Sequence, residues 1–95
     1  MKHCILVKWN QLVVDKKEIV AEVKTTFLDL LNYKDVKDIK FYENVIERAN
    51  RYDLMICIEM DKDFLPIYDD SNPHHEWKEK FGKFVENKAI FDFED

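Results

Sequence analysis

Three histidines, two cysteines and a surplus of carboxylates are the side chains here with chemical potential, and their spacing limits what they can do. His75 is the first candidate. An imidazole takes or gives a proton near neutral pH, and the first turn of a helix disfavours its charged form. A neutral His75 in that place suits a general base acting on an acidic C–H or a phenol. Its structural alternative is to pack on Trp77 and bond a backbone carbonyl. His3 shares a strand face with Ile5 and Val7, as a pocket wall or polar handle, or as a satisfied edge histidine. Asp69, Asp70, His74 and His75 are of metal-ligating types but match no ligand spacing. Adjacent helical histidines also point about 100° apart. No metal and no cofactor are expected. Cys4 and Cys57 belong to no CxxC or Cys/His pattern and read as reduced thiols acting as small hydrophobes. Gly82 is the one glycine, so a phosphate-cradling loop, a nucleophile elbow and a dinucleotide fingerprint are all excluded.

The elements that must position these groups fit one domain over residues 1–95. Acidic residues outnumber basic ones, 20 against 15, which leaves no basic surplus for a nucleic acid or an anionic membrane. Apolar runs such as Cys4-Ile5-Leu6-Val7 are too short to cross a bilayer. No signal-peptide core follows Lys2, so the expected compartment is the cytoplasm.

His3–Trp9 reads as a strand with His3, Ile5, Val7 and Trp9 on one face. Asp15 and Glu18 form an acidic capping pair. Ile19, Val20, Val23, Phe27, Leu30 and Leu31 then make the stripe of a five-turn helix. Residues 36–44 alternate, with Ile39 and Phe41 opposed to Lys40 and Tyr42. A third strand over Tyr52–Met60 sets Leu54, Ile56 and Ile58 against Asp53, Met55, Cys57 and Glu59. Pro66 limits any helix around Phe64–Tyr68 to a few residues. Asn72-Pro73 predicts a second helix start, followed by the stripe Trp77, Phe81, Phe84, Val85. A last strand covers 88–94. The aromatic set, Phe91 and Phe93 included, reads mostly as core, with part of it free to line a pocket for a flat apolar ligand.

The order β-α-β-β-α-β predicts an α+β, ferredoxin-like fold: a four-stranded antiparallel sheet with two helices on one face. The first and third strands lie together at its centre. The other face is left bare, with Cys4, Leu6, Tyr42, Met55, Cys57 and Ile90 inside a rim of Lys8, Lys40, Glu59 and Asp92. An apolar centre inside a charged rim predicts a homodimer packed sheet on sheet.

Lys2-His3 before an apolar strand, Asn72-Pro73-His74-His75 at the last helix, and the closing IFDFE together resemble the stress-responsive A/B barrel (Dabb) family. The resemblance spans about residues 2–94 and implies a dimeric α+β barrel. Family functions are diverse and include stress-induced plant proteins and a cofactor-independent polyketide cyclase. In that cyclase a Tyr upstream of an HPxH motif and the motif's last His work over an apolar pocket. Carried over, the last His is His75, the strand-one His is His3 and the Pro is Pro73, while Asn72 replaces the first His. The Tyr position falls on Asp69, one residue beyond Tyr68.

The resulting expectation is a Dabb-type homodimer that binds a small apolar or aromatic ligand between sheet and helices. His3, Ile5, Val7, Ile56, Ile58, Trp77 and Phe81 would line that site. One alternative is a cofactor-independent cyclase, isomerase or lyase, with His75 as base and Tyr68 orienting or protonating the substrate oxygen. The other is a purely structural or interaction protein.

Overall fold

Asp15 opens the first helix as its side chain dictates. Its Oδ1 accepts the backbone N–H groups of Lys17 (3.0 Å) and Glu18 (3.1 Å), capping α1 over Lys16–Leu28. The computed structural model describes Met1–Asp95. α1 continues into a 3-10 turn at Asp29–Asn32, and Ile19, Val20, Val23, Phe27 and Leu30 are its buried stripe. The strands are β1 (Lys2–Trp9), β2 (Val36–Glu43), β3 (Leu54–Met60) and β4 (Val85–Phe93). They form one antiparallel sheet in the order β2-β3-β1-β4, so β1 and β3 are central as expected.

A short helix α2 (Leu65–Asp69) precedes α3 (Asn72–Glu76), as Pro66 and Asn72-Pro73 predict, but α3 departs from its expected form by running on through a π-helical turn at Trp77–Phe81 and a 3-10 turn at Gly82–Phe84. Pro66 sits in the first turn of α2, where its missing N–H costs nothing. Val85 is no longer helical, because the chain is already extended there and enters β4.

One face of the sheet carries the core. Ile5 lies opposite Ile56, Val7 opposite Leu54 and His3 opposite Ile58, all buried under the helices. Burying an aliphatic side chain of this size stabilises by roughly 1.5–3 kcal/mol, so this layer supplies much of the driving force. The other face is free of helices. Cys4, Leu6, Met55, Cys57, Phe91 and Phe93 floor a shallow bowl of about 430 Å³. Lys2, Asp38, Lys40 and Glu59 also line it.

β4 runs one residue out of the expected phase. Phe91 pairs with Cys4 and Phe93 with Lys2, so both aromatics face the bare side, and Phe91 is 64% exposed. Ile90 pairs with Ile5 and Asp92 with His3. Ile90 therefore belongs to the helix side at the sheet edge and not to the expected dimer face, and Asp92 leaves the expected rim. Alternation in 88–94 is equally strict in either phase, and only pairing with β1 decides between them.

Candidate functional site

Under the joint between α2 and α3 the fold gathers His3, Tyr68, His74 and Asp92. β1 brings His3 to the helix side, buried, and β4 places Asp92 opposite it, where His3 Nδ1 and Asp92 Oδ1 are hydrogen-bonded. With Nδ1 held by the carboxylate, Nε2 is the nitrogen left for a second partner. The Tyr68 ring lies edge-on to the His3 ring, with centroids 5.2 Å apart. It also packs on the His74 ring at 4.8 Å.

Tyr68 is only 1% exposed, and its hydroxyl has no hydrogen-bond partner. Burial chiefly, and then the nearby Asp69 and Asp92 carboxylates, push its pKa well above the ordinary phenol value. It is a neutral O–H donor at physiological pH. His74 Nδ1 donates to the Asp69 carbonyl (2.8 Å), which leaves Nε2 as acceptor in the neutral ring. Burial is the main force holding the His74 pKa below its usual value. The cluster thus joins a buried proton donor to two imidazoles, an arrangement suited to gripping an oxygen and moving a proton at it.

Ser71 sets this geometry. It is the N-cap of α3: its buried hydroxyl accepts His74 N–H (3.3 Å) and donates to the Tyr68 carbonyl (2.7 Å). The expected cap was Asn72, one residue later. That shift brings His74, not His75, over Tyr68. His75 points outward instead, its side chain 47% exposed and its Nε2 3.5 Å from Asp70 Oδ1. Tyr68 faces inward despite the one-residue mismatch because the chain breaks at Asp70–Ser71 and restarts its helical phase. The alternation of 88–94 alone puts Asp92 on the bare sheet face, and only its pairing with His3 reveals its place in the cluster.

Ile5, Val7, Ile56, Ile58, Trp77 and Phe81, expected as pocket walls, are 0–4% exposed and belong to one contiguous core. Their β-branched and aromatic side chains interlock between the layers, so they form packed floor in this conformation. Trp77 also borders a surface groove beside Lys78, Val85 and Lys88. At the far end of β1, Asp53 accepts the Trp9 N–H (2.8 Å) and Lys16 Nζ (2.9 Å), tying β1, β3 and α1 together. No three His, Cys, Asp or Glu side chains converge as a metal-binding group. No helix is long and apolar enough to cross a membrane.

The class these features define is the ferredoxin-like α+β fold, and solved structures of it include dimers. A dimeric ferredoxin-like protein of unknown function from Thermobifida fusca YX matches with a TM-score of 0.81 and 21% identity, over 97% of this chain and 87% of that one. A Dabb family protein of ferredoxin-like fold from Mesorhizobium loti matches with a TM-score of 0.73 and 13% identity, over 99% and 94%. Hydroxynitrile lyase from Passiflora edulis matches at 0.72 and 17%, over 97% and 89%. The Dabb neighbour agrees with the motif resemblance. No protein-family model and no curated protein matches the chain.

Proposed function

We propose that this chain is a Dabb-type homodimer that binds a small aromatic or apolar compound through an oxygen atom. The observation that carries this reading is the buried Tyr68 hydroxyl, left without a partner on a ring that packs against two imidazoles. A stripped donor of that kind is costly to keep, by about 1–3 kcal/mol, and a ligand oxygen removes the cost. His3 and His74 flank that oxygen, and Ile5 and Ile58 supply the apolar floor. The α2–α3 joint over the cluster, built of two helices of five residues each, is the segment that would have to part to admit the compound. The homodimer forms through the bare face, with Leu6, Tyr42, Met55 and Cys57 at its centre and Phe91 and Phe93 in place of Ile90.

A second reading is a cofactor-independent lyase or isomerase, favoured by Asp92 orienting His3 beside a neutral Tyr68. In it Tyr68 donates to the carbonyl oxygen and an imidazole Nε2 takes the proton. His74 replaces His75 as the partner of Tyr68. That a hydroxynitrile lyase has the same fold supports this chemistry without assigning it.

The test is nuclear magnetic resonance titration with a set of aromatic aldehydes and phenols, alongside cyanide release from mandelonitrile. Binding is expected to shift the His3 and His74 ring signals and to be lost in Tyr68→Phe. A set that moves neither ring overturns the ligand reading, and cyanide release unchanged in Tyr68→Phe overturns the catalytic one.

A further inference from the structure

We propose that Cys4, Cys57 and Met55 form a binding site for Cu(I) at the centre of the free sheet face. Cys4 and Cys57 are direct partners on the two central strands, and Met55 follows two residues before Cys57 on the same face of β3. All three line the bowl. Directly opposed side chains start about 4.5–5.5 Å apart at Cβ, and diagonal ones about 7–8 Å, within reach of a long flexible thioether. Both cysteines are free thiols, Cys4 buried and Cys57 partly open.

The donor set selects the ion. Two thiolates and a thioether are soft ligands, matched to Cu(I). Zn²⁺ wants four ligands, and although the Asp38 and Glu59 carboxylates also line the bowl, no three Cys, His or carboxylate groups converge there to hold it. Binding releases two protons to solvent and forms two Cu–thiolate bonds and one Cu–thioether bond, turning one positive ion, two neutral thiols and the neutral Met55 thioether into a complex of charge −1. The Lys2 and Lys40 ammonium groups line the bowl together with the Asp38 and Glu59 carboxylates, so that charge meets a rim of both signs. No electron is transferred.

The site lies on the face assigned above to the dimer, so the test separates the two. The fully reduced full-length chain is titrated anaerobically with Cu(I) held by bathocuproine disulfonate, and sedimentation is run on loaded and unloaded samples. The expected result is one Cu(I) withdrawn per chain, with near-ultraviolet sulfur-to-copper absorption. Cys57→Ser should lose affinity by at least the ~10–100-fold that even outer-shell changes cost. Met55→Leu, which keeps the apolar volume, should weaken binding about tenfold with unchanged mass. Copper left wholly on the chelator, or uptake unaltered in both folded variants, overturns the site. A dimer that takes no copper overturns this inference alone, and copper uptake by a monomer upholds it while overturning the dimer.

Discussion

Tyr68 is the residue on which stability and function pull apart. Its hydroxyl loses water on folding and gains no partner, so Tyr68→Phe should raise stability by about 1 kcal/mol while abolishing ligand recognition. A melting temperature that falls would mean that the hydroxyl is satisfied in the folded chain. His74 makes a pH prediction of known sign. Burial lowers its pKa, opposed by the Asp69 carbonyl bond and carboxylate and aided by Lys78 and Lys88. The unfolded chain therefore binds the proton first. The His74 contribution is complete above its unfolded value of 6.5 and is lost as pH falls through the lower folded value. Urea midpoints measured from about pH 7.5 down to 5 should show this slope, and His74→Gln should flatten it.

At the level of elements, one cap decides which histidine faces the interior. Ser71→Ala should cost about 0.5–2 kcal/mol as a lost N-cap and also release the α2–α3 joint. The second effect is visible as loss of the ring-current shift that Tyr68 imposes on His74. An unchanged shift would give the positioning of His74 to packing alone. This joint also marks where the sequence stops being legible. β1, α1, β2 and β3 could be read because their apolar residues repeat at one period and Asp15 is an unambiguous cap. Ser71 and Asn72 are both good caps before a proline, and choosing between them rotates every later side chain by about 100°. β4 poses the same problem in another form. Ile90 and Phe91 are both apolar, so local alternation carries no phase, and Asp92 could not be matched with His3 before the strands were paired.

For the whole molecule, the prediction concerns assembly. Met55 is partly open at the middle of the bare face, between Tyr42 on β2 and Leu6 on β1. Met55→Asp should reduce the sedimenting species from twice the 11.5 kDa chain mass to a single chain, since an unpaired charge would be buried at the interface centre. An unchanged mass would move the interface elsewhere. The order β2-β3-β1-β4 has one more effect, on the newly made chain. β1 is flanked by β3 and β4, which begin at Leu54 and Val85, so its backbone groups find no sheet neighbour until much of the polypeptide has emerged. Long loops must close before its ladders form, which slows folding and leaves an oily, β-prone segment open to strangers in the meantime. Lys2 and Lys8, which bracket that segment, serve as charged gatekeepers during the wait.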